Sequence, residues 1–146
     1  MHAQTAAKPR RRRNLLITSS TVLFVAVVAT AFAQQAEVDL ESTMGRGRAC
    51  TEWFYAQEFA EIEALGFTEA MEAALPSMGG LSGFWETVET QLGGQTEVVD
   101  EVEMKQQGLD VYVRTAKFEK YPGDIIVQWV FDAEGAIAGM AIRPKQ

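Results

Sequence analysis

The apolar residues of this chain change period once, at Gly93-Gly94, and that switch decides what it can fold into. Before it they recur at three- and four-residue intervals, the spacing of one helix face; after it they alternate, the spacing of a strand. Four strands are predicted at about 95–106, 110–120, 124–132 and 136–143. The turns between them fall at Gly108, at Pro122-Gly123 and at Asp132-Ala133-Glu134-Gly135. Links this short make neighbouring strands antiparallel. Helices first and a meander afterwards predict an α+β domain with helices on one face of a single four-stranded sheet.

In the helical part, Cys50, Trp53 and Phe54 share a face that Phe59, Ile62 and Leu65 continue until Gly66. Thr68 is placed to cap a short helix carrying Met71 and Leu75, which Pro76 ends. The strongest stripe is Leu81, Phe84, Trp85, Val88 and Leu92, closed by Gly93-Gly94. In the strands, Ile125, Val127, Trp129 and Phe131 put bulk on one face. The last strand offers it either Ile137, Gly139 and Ala141 or Ala138, Met140 and Ile142, and small residues opposite bulky ones would let the sheet bend. Val111 and Val113 differ in parity from Ala116 and Phe118, which a β-bulge near Thr115 would reconcile.

The first third is not globular. Arg10 to Arg13 precede the uncharged run Leu15 to Phe32, which ends on Ala31-Phe32-Ala33, the small-x-small pattern of a cleavable leader. A signal peptide over 1–33 predicts an exported (periplasmic or secreted) protein beginning at Gln34; the alternative is an uncleaved membrane anchor. Residues 34–48, polar with two glycines, read as a flexible tether or a frayed helix start, and 49–146 as the domain. All 20 acidic residues but only eight of the 13 basic ones lie beyond residue 33, a balance of −12 that disfavours nucleic acid and anionic membrane surfaces. The one histidine, His2, belongs to the leader, and Cys50 is the one cysteine, so no imidazole chemistry and no internal disulfide are expected.

The runs QQGLDVYVRTAKFEK and IIVQWVFDAEGAIAGMAIRP, preceded by the Trp85 helix ending in QLGG, resemble the bacterial domain of unknown function 3887 from about Ala49 to Pro144. That resemblance implies a cystatin-like, nuclear-transport-factor-like fold: helices packed into a strongly curved antiparallel sheet, often dimeric. It also implies export, alone or ahead of an α/β-hydrolase domain. With the chain ending at Gln146 no hydrolase activity is carried over. The family has no agreed catalytic residues to transfer.

A cone of this kind can enclose a pocket, so polar residues on strand faces are the candidates for function. Asp100 shares a strand face with Val98, Val102 and Met104 and is the best general-base candidate; the blander reading is a charge that protects a sheet edge. Tyr112 and Arg114 share the parity of Ala116 and Phe118 and together suit an anionic head group; the blander reading is a solvated face with Arg114 paired to an acid. Trp53, Trp85 and Trp129 could line an aromatic pocket, although aromatics at such spacing are more often core. Cys50 reads as a small buried hydrophobe. Glu97, Glu101 and Glu103 read as a solvated strand face, Asp132 and Glu134 as too few for calcium, and Ser77–Gly80 as a turn without a phosphate-loop lysine. Neither a cofactor nor a metal is expected.

The reading that results is a non-catalytic exported domain binding a small apolar or amphipathic ligand or a protein partner, through Asp100, Tyr112, Arg114 and Trp129. Two alternatives stand beside it. One is a homodimeric interaction module, since Ile126, Gln128 and Val130 leave an apolar patch on the face opposite Trp129. The other is an isomerase- or dehydratase-like enzyme using Asp100 with Tyr112.

Overall fold

The computed structural model describes residues 37–146, and the leader read over 1–33 lies outside them. Among the described residues, helices α1 (Thr43–Ala56), α2 (Phe59–Ala64), α3 (Glu69–Ala74) and α4 (Gly80–Leu92) precede strands β1 (Gln95–Gln106), β2 (Leu109–Phe118), β3 (Tyr121–Phe131) and β4 (Ile137–Pro144). The strands form one antiparallel sheet in the order β1-β2-β3-β4. The α+β meander expected from the change of period is the observed architecture. No helix among the described residues is long and apolar enough to cross a membrane.

The starts of α1 and α3 are each capped by a side chain. Thr68 Oγ1 accepts from Met71 N at 3.3 Å, the predicted cap of α3. Thr43–Arg48, read as tether or frayed start, is an ordered first turn and a half of α1: Ser42 Oγ accepts from Gly45 N at 2.9 Å. The glycines in this stretch serve packing. Gly47 lies against Tyr112 of β2 so closely that a Cβ there would overlap the ring. This is how α1 reaches the sheet.

The core is the inner face of the sheet against the helices. Cys50, Phe54, Ile62, Tyr112, Ala116, Ile125, Trp129, Phe131 and Ile137 are at most 1% exposed, and all belong to one cluster with Met71, Leu81 and Val88. Burial pushes the Cys50 thiol up to about 12, so it is an unreactive small hydrophobe. Trp129 Nε1 donates to Thr51 Oγ1 at 3.0 Å, and that hydroxyl donates to Gly47 O at 2.7 Å, so the indole N–H is satisfied inside the core.

Besides a shift between Gln95 and Glu97 at the start of β1, register departs from expectation at three places. First, Val98 pairs with Ala116 but Asp100 with Thr115, so β1 carries one residue more than β2, at Val99. The bulge expected near Thr115 is therefore opposite it, on the neighbouring strand. Second, the β2–β3 turn is Glu119-Lys120, with Phe118 paired to Tyr121. Pro122-Gly123 lies inside β3, where a register shift excuses proline from donating to the ladder. Third, Val130 pairs with Gly139 and Phe131 with Ile137, leaving Ala138 over. Trp129 faces Met140 and Val127 faces Ile142, while Gly139 and Ala141 point outward. The small residues of β4 thus do not oppose the bulky face of β3, and Gly47 in α1 supplies the close approach instead.

Candidate functional site

The bulge at Val99 turns the face of β1 over. Beyond it Glu101 pairs with Arg114 and Glu103 with Tyr112, so both glutamates look toward the helices, while Asp100, Val102 and Met104 look away. Glu101, read as part of a solvated face, becomes the hub of the inner polar cluster. Its Oε1 accepts from the Tyr112 hydroxyl and from Arg114 Nε at 3.1 Å and Nη2 at 3.0 Å. Its Oε2 accepts from Arg48 Nε at 3.0 Å and Nη2 at 2.7 Å. Glu103 Oε2 accepts from Met44 N at 2.9 Å, fixing the start of α1 to the same strand.

Burial works against ionisation of Glu101, but hydrogen bonds from Arg48 and Tyr112 and the charge of Arg114 outweigh it and draw the carboxyl from 4.5 down to about 2. Burial and the bond to Glu101 push the Tyr112 phenol up, so it stays protonated and donates. A folded-state pKa below the unfolded one adds stability that is complete above the unfolded value and is lost as pH falls through the folded one. The urea midpoint is therefore expected to fall between about pH 4.5 and 2 more steeply in the wild type than in Glu101→Gln. Equal slopes in that window would show that Glu101 is not the group responsible.

With Nε and Nη2 engaged, Arg114 turns Nη1 toward Gln95, whose Oε1 is at the limit of hydrogen bonding, 3.5 Å. Here the wall opens into a cleft of about 380 Å³ between α1, α4 and the start of β1, lined by Glu52, Tyr55, Trp85, Glu89, Gln95 and Arg114. The Tyr55 hydroxyl is buried and has no hydrogen-bond partner among the described residues. Burial pushes its ionisation up, with Arg114 opposing and Glu89 adding to the effect, so the phenol remains a neutral donor. The end of α4 is held firmly over this cleft: Lys120 N donates to Leu92 O at 2.9 Å, and Gly94 N to Glu119 Oε2 at 3.0 Å. A larger hollow of about 590 Å³ lies between α1 and the segment before it, lined by Glu37, Val38, Asp39 and Trp53 among others. Arg48 on its wall is already paired to Glu101, and neither orphaned buried polar atom of the described residues lies there, so the smaller cleft is the better site.

Of the four residues singled out from the sequence, only Arg114 lines the cleft. Tyr112 is fully buried behind it and positions the guanidinium, accepting from Arg114 Nε at 2.8 Å. Trp129 is a core residue, 1% exposed, and does not line the cleft. Asp100 is exposed on the outer face, accepting only from Glu101 N at 2.9 Å. It lies across the sheet from Tyr112, so the two cannot act on one substrate atom. Tyr55, Gln95 and Glu101 were missed. Among the described residues no three His, Cys, Asp or Glu side chains gather to hold a metal ion.

Compared with known proteins, the chain matches no family model, no curated protein and no solved structure.

Proposed function

We propose that the cleft beside Arg114 binds a small amphipathic molecule through an acceptor oxygen shared by Arg114 Nη1 and the Tyr55 hydroxyl. The observation that carries this is the orphaned hydroxyl: a buried O–H without a partner costs roughly 1–3 kcal/mol unless something takes the bond. Trp85 and the Tyr55 ring offer an apolar wall for the rest of the ligand. Charge selects the head group. Glu101 already offsets Arg114, and Glu52 and Glu89 stand at the cleft, so a neutral carbonyl or amide suits it better than a free carboxylate. Binding fits the chemistry better than turnover, because Glu101, the acid in contact with Arg114, is held ionised by two arginines and cannot serve as a proton donor or base near neutral pH.

The setting is proposed to be outside the cytoplasm, on the strength of the basic run and apolar stretch that begin the chain. The sheet-and-helix layering and the bulges that bend its strands support a strongly curved, cystatin-like form. They are equally what the resemblance to domain of unknown function 3887 implies.

The test is a thermal-shift and calorimetric panel of aromatic amides and esters, each beside its carboxylic acid and its plain hydrocarbon. Amides or esters are expected to bind best. Tyr55→Phe should weaken them about two- to tenfold, the worth of one neutral hydrogen bond, while leaving the melting temperature unchanged or slightly higher. The reading fails if no member of the panel binds, or if Tyr55→Phe binds as well as the wild type.

A further inference from the structure

The cleft beside Arg114 has two poles. Its floor is made of donors, since Arg114 is buried and the buried Tyr55 hydroxyl has no partner among the described residues. Its mouth carries acids: Glu52 on α1 is exposed, Glu89 on α4 is half-buried, and both line the cleft. Each stands one turn from an aromatic on its own helix. Glu52 comes three residues before Tyr55 and Glu89 four after Trp85, so each helix turns one acid and one ring toward the same space. Among the described residues neither carboxylate forms an ion pair. The cations of the surrounding elements are engaged elsewhere. Arg48 and Arg114 hold Glu101, and Lys120 Nζ donates to the backbone oxygen of Glu89 at 2.9 Å.

We infer that the molecule taken by this cleft carries an amine cation beside its carbonyl, so that its class is the amino amides and amino esters. The inference rests on the carbonyl site proposed for Arg114 and Tyr55, and adds the second group of the ligand. The carbonyl oxygen goes to the floor, because Arg114 Nη1 is a donor only and has no lone pair to offer an ammonium. The ammonium goes to the mouth, where Glu52 and Glu89 supply acceptors and negative charge that no ion pair neutralises. The indole of Trp85, one turn from Glu89, is the side chain whose ring attracts cations best. Opposite poles also fix the direction of entry. Turned end for end, the ligand would set its ammonium against the guanidinium and its oxygen against two carboxylates, and such unfavourable contacts are a source of specificity. The acidic balance beyond residue 33 draws cations to the whole surface, and Glu52 and Glu89 give that attraction a place.

The experiment is calorimetry with three probes that differ by one group. They are phenylalanine amide, 3-phenylpropanamide, which lacks the amine, and phenethylamine, which lacks the amide. Work at about pH 6 keeps the α-amino group charged, since such groups titrate at about 7.7–8.0. Phenylalanine amide is expected to bind roughly three- to tenfold more tightly than 3-phenylpropanamide, the worth of two ion pairs near the surface. That ratio should shrink at high salt. Glu52→Gln and Glu89→Gln, both conservative in shape, should each lower it about twofold or more. Glu86→Gln, on α4 but outside the lining of the cleft, should leave it unchanged. The ratio compares two ligands on one variant, so a loss of folded protein does not mimic the effect. Equal binding of phenylalanine amide and 3-phenylpropanamide overturns the inference and leaves the carbonyl site standing. A ratio that Glu86→Gln lowers as much as Glu52→Gln also overturns it, because overall charge then explains the preference. Phenethylamine binding as tightly as phenylalanine amide removes the carbonyl site, and the inference with it.

Discussion

Glu101→Ala is expected to lower the free energy of unfolding by about 3–5 kcal/mol, the range for removing one partner from a buried ion pair. The substitution leaves the Arg114 side chain, 6% exposed, and the Tyr112 hydroxyl without the carboxylate that accepts from both, with only the bond from Arg114 Nε to the Tyr112 hydroxyl remaining between them. Hydration of Nη1 through the cleft favours the lower half of that range. Arg48 is half-exposed and simply returns to water, contributing little. The control is the pair Glu101→Met with Arg114→Met. An apolar replacement of both charges is expected to recover most of the loss, because the cost lies in the stranded guanidinium rather than in the attraction given up. Urea denaturation of the two single variants and the double one measures this directly. A loss below 1 kcal/mol for Glu101→Ala would mean that water reaches Arg114 freely and that the cleft is deeper than described.

Trp129→Ala should cost a similar amount, about 3–5 kcal/mol, for a different reason. The indole fills the middle of the inner face, packs edge-on to Phe54 with ring centroids 6.4 Å apart, and is backed by Met140 on β4. Removing it opens a cavity that α1 and the sheet, held together at Gly47 and Tyr112, cannot close. Thr51 keeps its bond to Gly47 O, so no polar group is stranded and the loss is one of packing. Trp129→Phe, which retains the ring but not the N–H bond, is expected to fall well short of the alanine loss. Ligand binding at the cleft should survive Trp129→Phe, since the residue does not line it. A Trp129→Phe variant that folds but no longer binds would place the ligand in the core and not beside Arg114.

Much of the fold was legible before any coordinates. The four strands, the cap at Thr68 and the glycines that close α4 lie within a few residues of where periodicity puts them. The buried face of β3 was legible too, since Ile125, Val127, Trp129 and Phe131 alternate without interruption. The site was hardly legible. Arg114 was found because its strand keeps one parity throughout. Glu101 was passed over in favour of Asp100 because acids and valines occupy both parities of β1, and the one extra residue at Val99 changes which parity faces inward. Tyr55 lies on a helix face among other aromatics, and nothing in its neighbours along the chain marks its hydroxyl as unpaired.

What the amino-acid order settled by itself was periodicity and punctuation: where the chain is helical, where it is extended, and which strands turn back on each other. Those are local matters, decided within a few residues by side-chain spacing, glycine and capping. Only the tertiary structure decided which face of β1 meets the helices, because a bulge adds one residue to one strand and reverses every side chain beyond it. The energy that selects that bulge comes from Arg48, Tyr112 and Arg114 converging on one carboxylate, and these residues reach it on β1 from two other elements, α1 and β2.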